Sequence, residues 1–214
     1  MNGLFFYIGL GAGLAAACGL RPFLPALLAG ALATGSSTTS APALGVSFSR
    51  GPFRFLREDW WLLAVVAALI LAYALQLLRG LAALPDGGGE RTRTQPPAAA
   101  LTGLSYGAGA ILFAGTLAAH GDAWWPGLIG GLAAVALAQR AVVPVFVRAR
   151  ARLADGAAKQ ALSVYLDAAS LLLAALVALL HPLGYVLLAL LAWFALRGRS
   201  RGDQKYAGLR ILRR

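Results

Sequence analysis

Three ionisable residues stand inside long apolar runs of this chain: Arg21 in "GLRPFLPALL", Arg140 in "ALAQRAVVP" and Asp167 in "SVYLDAAS". A charge at the centre of an inserted helix costs at least about 2.5–3.5 kcal/mol, so each needs a counter-charge or a wet cavity. Guanidinium groups present a planar fork of donors that matches carboxylates and phosphates, which makes anion binding the chemistry these residues suit best. Helical rise sets Arg140 about 12 Å inward of Arg148 and Asp167 about 10 Å inward of Gln160. Those matching depths predict an Arg140–Asp167 ion pair, serving either as a clamp between adjacent helices or as a proton- or substrate-linked contact. Arg21 is left without an intramembrane acid, because residues 62–78 and 98–119 contain none. It either snorkels to the outer interface, pairs with Glu58 or Asp59, or receives an anion beside a proline-broken helix whose freed N–H groups add partial positive charge. Tyr73 and Gln76 complete the candidate ligand set, and Ser105, Tyr106 and Ser170 supply further neutral polar groups.

Bond-making chemistry has less support. His120 and His181 stand in short turns without metal-ligand spacing, and no Ser-His-Asp set, phosphate loop or paired carboxylates within one span occur. No cofactor is implied, and an embedded enzyme acting on a lipid ranks third among the readings. The single cysteine, Cys18, excludes an internal disulfide. "LAAAC" does not fit a lipoprotein cleavage box, since Ala15 stands where a larger aliphatic residue belongs and no Lys or Arg precedes it.

The elements that must position these residues follow from composition. With 59% hydrophobic and 13% charged residues, the chain is far more apolar than a soluble domain, where about 45–50% and 25% are usual. Apolar runs at 3–33, 60–78, 98–119, 124–147, 161–180 and 183–196 predict about six transmembrane helices. Unbroken, the first would reach about 45 Å against a hydrocarbon core of about 30 Å. Pro22 and Pro25 therefore divide it into a spanning helix to about Gly19 and a half-helix or re-entrant piece to Thr34.

Charge sets the orientation. One face collects Arg79, Arg91, Arg93, Arg148, Arg150, Arg152, Lys159 and a polybasic tail, and the other only Arg50, Arg54 and Arg57. The richer face is expected in the cytoplasm with both termini, as in a multi-pass protein of a bacterial inner membrane. Trp60-Trp61 and Trp124-Trp125 begin spans at the opposite interface, where amphipathic rings prefer to sit. The net charge of +11 suits anionic lipid at the cytoplasmic surface rather than nucleic acid, for which no interleaved aromatic and basic motif occurs.

Gly11 to Pro25 and Gly130 to Pro144 share paired glycines, an Ala-rich turn and Arg-x-x-x-Pro. Each opens a group of three spans, and an odd number inverts the second group, the pattern of a 3+3 inverted repeat. "AAACGLRPFLPALL", "GLIGGLAAVALAQRAVVP" and "LSVYLDAASLLLAALVALLHP" together resemble the bacterial integral-membrane family known as domain of unknown function 4126, over most of residues 4–196. The resemblance implies an acid near the start of the fifth span, where Asp167 stands, and one midway along the second, where this chain has Tyr73. It implies a fold and no activity.

The expected protein is all-α, a polytopic helical membrane protein with one three-helix group in 1–119, a second in 124–196 and a basic tail at 197–214. Its expected function is a transporter or channel for an anionic small solute or lipid headgroup. The alternative is a scaffold that binds partners or anionic lipid. Gly9-x-x-x-Gly13 and Gly127-x-x-x-Gly131 suit either packing within the chain or a homodimer.

Overall fold

A computed structural model describes residues 3–35, 46, 48, 50–82, 96–153 and 156–207, with side chains for all of these except 76–82, 96–99 and 198–207. Seven helices make up this part of the chain: α1 (Leu4–Leu20), α2 (Phe23–Gly35), α3 (Asp59–Ala82), α4 (Pro96–Ala119), α5 (Trp125–Ala151), α6 (Gly156–Leu179) and α7 (Leu183–Ala207). A 3₁₀ turn at Arg54–Arg57 precedes α3, and no strand occurs among the described residues. Ala100–Ala119, Trp125–Ala151 and Gly156–Leu179 are long and apolar enough to cross a membrane, and the other helices carry shorter apolar stretches.

Proline chemistry divides the first apolar run. A proline disfavours the helical region for the residue before it, and Arg21 is accordingly extended, with φ −150° and ψ 127°. Pro25 breaks nothing, because it lies in the first turn of α2, where backbone N–H groups have no intrahelical acceptor.

The direction of α2 corrects the six-span expectation. At the start of α1, the Tyr185 hydroxyl donates to Phe5 O at 2.7 Å, and Tyr7 stacks on His120 with ring centroids 3.3 Å apart. Near the end of α2, Thr34 donates to Arg57 O at 2.9 Å, and Gly30 lies against Leu56 and Leu62. Both ends of the α1–α2 pair therefore lie at the end of the bundle that holds the α4–α5 turn, the α6–α7 turn and the start of α3. The pair is a helical hairpin that turns back in mid-bundle, and α3 to α7 run the length of the bundle. The starts of α1 and α7 are neighbours, so α1 begins and α7 ends at opposite ends of the bundle, where one shared face was expected. Phe53, Phe55, Trp60, Trp61 and Trp124 cluster at the entry end, with Phe55 and Trp61 centroids 5.2 Å apart. We call this the aromatic end. The other, where α5 gives way to α6, carries Arg148, Arg150, Arg152 and Lys159 and is the basic end.

Small residues put α1 at the centre. It is buried from Gly9 to Gly19 and packs on α4, α5, α6 and α7, as suits a helix that is apolar all round. Gly9 and Gly13 admit the start of α7: a Cβ on Gly184 would stand 1.8 Å from Gly9 O. Gly127 and Gly131 admit the backbone of α4 at Ala114 and Ala110. Both Gly-x-x-x-Gly faces are thus used inside the chain, and Cys18 is a fully buried packing residue.

The repeat also requires correction. Gly11 meets Phe113, which in turn meets Gly130, whereas Gly19 meets Val135 and Ala138. Advancing along α1 thus advances along α5, so the two matching segments run parallel and are not inverted. The cause is the hairpin, which adds one reversal of direction that a single spanning helix would lack.

Two outcomes follow from this packing. Gly184→Ala should lower the thermal stability of the detergent-solubilised protein by at least about 1–3 kcal/mol, whereas Gly103→Ala, with open space around its Cβ, should not lower it. Burial first, and His120 second, hold the pKa of His181 below its usual 6.5. The unfolded chain then binds more protons as pH falls below 6.5, so this contribution to stability is present above that pH and lost on acidification. A melting temperature that falls on acidification, and falls less in His181→Asn, is the expected record.

Candidate functional site

The hairpin tip delivers Arg21 to the middle of α6. Its Nε lies 2.7 Å from Asp167 Oδ1, a close charge contact in which the N–H does not point along the line to the oxygen. A terminal guanidinium nitrogen of Arg21 donates to the Ser163 hydroxyl. The Tyr73 hydroxyl donates to Asp167 Oδ2, so both carboxylate oxygens are engaged. Asp167 is only 7% exposed. Ser170 donates to the Asp167 backbone carbonyl at 2.8 Å and stays within its own helix. The tip of α1, α3 and α6 are thereby tied by one carboxylate.

This reverses the expected pairing. Arg21 takes Asp167, and Arg140 has no ion-pair partner among the described residues. Arg140 and Asp167 do line one cavity, but depth along a helix leaves lateral position open, and α5 and α6 pack on α1 rather than on each other. Entering from the aromatic end, α1 stops in mid-bundle instead of emerging at an interface beside Glu58 or Asp59.

Beneath the tip lies a cavity of about 490 Å³. Its polar wall is Arg21, Tyr73, Thr102, Ser105, Tyr106, Gln139, Arg140 and Asp167, and the rest is apolar. The wall residues of α3, α4 and α5 come from the middle of those helices and from the halves nearer the basic end. The hairpin fills the other half, so the cavity is a vestibule on the basic side of Arg21. Pro144 stands inside α5 and supplies no N–H to the carbonyl of Arg140, four residues earlier, which leaves that carbonyl without its helical donor. Two arginines against one aspartate give the wall a net charge of +1.

Among the expected site residues, Arg21, Asp167, Tyr73 and Arg140 converge on this cavity. The side chain of Gln76 lies outside the described residues. Ser105 lines the wall while donating to Leu101 O at 3.0 Å. Ser163 and Gln139 were not anticipated. Ser163 carried a readable signal, because a residue four before Asp167 shares its helix face. Among the described residues no cluster of His, Cys, Asp and Glu could hold a metal. His120 is held by Tyr7 and by donating from Nδ1 to Thr116 O at 2.7 Å. Comparison with known proteins returned no matching family model, curated protein or solved structure.

Breaking a buried pair by deleting one partner costs about 3–5 kcal/mol, much of it from the charge left behind. Asp167→Leu should therefore destabilise the protein strongly, and Arg21→Met in the same chain should recover part of the loss. Arg140→Met should recover none. Thermal melts of the three variants decide which arginine Asp167 serves.

Proposed function

We propose that the protein is a membrane transporter or channel that passes an anionic small solute or the headgroup of an anionic lipid. The observation that carries this reading is the net-cationic vestibule beneath the tip of a re-entrant hairpin, with Arg140 in its wall and without an ion-pair partner among the described residues. Non-helical backbone at membrane depth is tolerated where it lines a cavity or is buried in protein, and broken helices of this kind commonly border transport sites. The charge distribution supports a cytoplasmic basic end and an outward aromatic end in a bacterial inner membrane. On that orientation α1 starts outside and α7 ends inside. The resemblance to domain of unknown function 4126 bears on the fold alone.

In this mechanism the basic end raises the local concentration of anions at the vestibule mouth. The ligand binds first to Arg140, whose fork supplies charge-assisted hydrogen bonds and whose charge a monoanion neutralises. It then competes with Asp167 for Arg21. Separation of Arg21 from Asp167 unties the hairpin tip from α6 and opens the half of the bundle that the hairpin fills, so the ion pair acts as the gate. Tyr73 holds the released carboxylate in place.

Purified protein in vesicles should pass phosphate, small carboxylates or a fluorescent anionic lipid faster than empty vesicles do. Arg140→Ala should reduce that flux about tenfold or more, the loss expected for one charge-assisted hydrogen bond, with an unchanged melting temperature. Wild-type flux equal to that of empty vesicles for every solute, or flux insensitive to Arg140, sinks the proposal in favour of a scaffold.

A further inference from the structure

Resting on the transport reading, we infer that the ligand of this vestibule is a lipid: an anionic amphiphile with a compact phosphate headgroup, admitted sideways between α3 and α4 from the leaflet at the basic end. The packing leaves such a passage. α3 packs on α2 and the Arg54–Arg57 turn, whereas α4 packs on α1, α5 and α2. Once the hairpin has turned back at Arg21, no helix among the described residues stands between α3 and α4. Tyr73 is 41% exposed although its hydroxyl bonds to Asp167 inside the site, so the wall there is one side chain thick. On α4, Thr102 and Gly103 are exposed, and a Cβ on Gly103 or Gly107 would meet nothing within 4 Å.

The chemistry of the wall selects the occupant. Arg140 is exposed about 12 Å inward of Arg148 along its helix, beside Val143, which is 50% exposed. A guanidinium on an apolar flank, with no ion-pair carboxylate among the described residues, is suited to an anion from its surroundings, and in a membrane the anion at hand is a lipid phosphate. The remainder of the wall, including Leu24, Leu69 and Leu101, is apolar. Such a lining suits an acyl or prenyl chain, which a small hydrated ion lacks. At about 490 Å³ the cavity falls within the range of about 300–1,000 Å³ that holds drug-sized organic ligands. A headgroup on Arg140 with its chain leaving between α3 and α4 satisfies both parts of the wall.

The test uses the full chain in phosphatidylcholine vesicles carrying a trace of fluorescent phosphatidic acid or fluorescent phosphatidylcholine, with transfer between leaflets read by dithionite quenching. Uptake of inorganic phosphate is measured in parallel. Phosphatidic acid should be transferred and should raise the melting temperature of the detergent-solubilised protein, with phosphatidylcholine doing neither. Arg140→Gln should remove the thermal shift and reduce transfer about tenfold. Gly103→Trp should stop lipid transfer by filling the passage, and Gly107→Trp is the second variant should the first not fold. An Arg140-dependent thermal shift without transfer upholds the lipid ligand and removes the transport reading. Phosphate uptake that depends on Arg140 and ignores Gly103→Trp, with no lipid transfer or thermal shift, keeps transport and overturns the lipid. Equal responses to both lipids, or a shift abolished by truncation after Ala207 and retained in Arg140→Gln, also overturn it.

Discussion

A guanidinium carried into the middle of an apolar bundle needs a counter-charge or a wet cavity, and for Arg21 the position of its carboxylate sets how deep the helix goes. Arg21 meets Asp167 near the centre of α6. Either charge alone would cost several kcal/mol in such surroundings, and an ion pair offsets that cost only when its remaining polar groups are satisfied. Ser163 and Tyr73 supply those contacts. The tip of the hairpin is therefore held at one depth, tied by a single residue to α3 and α6 together.

The rest of the architecture follows from that depth. Because α1 stops in mid-bundle and α2 returns to the aromatic end, the hairpin packs one half of the interior and leaves the other half as the vestibule. A central helix surrounded on all sides needs a narrow profile, which the glycines and alanines from Gly9 to Gly19 provide. Close packing near the aromatic end and an open cavity near the basic end are thus two results of one short hairpin. The gate proposed for the site uses the same contact: what holds the tip is what a ligand anion must displace.

The two Arg-x-x-x-Pro segments show why a shared pattern need not give a shared structure. In α1 a proline follows the arginine directly, so Arg21 cannot stay helical and the chain turns. In α5 the residue after Arg140 is Ala141, the helix continues, and Pro144 removes one hydrogen bond without breaking it. Parallel packing of α1 and α5 then brings both arginines to one cavity with different duties, one neutralised by Asp167 and the other without an ion pair among the described residues.

Much was legible from residue types alone. The helical class, the break at Arg21-Pro22, the placing of Trp60, Trp61, Trp124 and Trp125 at one end and the choice of Arg21, Tyr73, Arg140 and Asp167 as polar groups to examine rest on local or one-dimensional quantities: hydropathy, the steric demand of a proline on its neighbour, the cost of a buried charge. The choice of partner was not legible in this way. Ser163, which binds Arg21, is 142 residues away along the chain, and Arg140 lies nearer to Asp167 in sequence than Arg21 does. Rise per residue fixes depth along one helix but carries no information about which helices are neighbours or from which end a helix enters. Those are properties of packing: glycine contacts seat α1 among four helices, α5 and α6 meet α1 instead of each other, and the carboxylate goes to the arginine that this arrangement brings within reach.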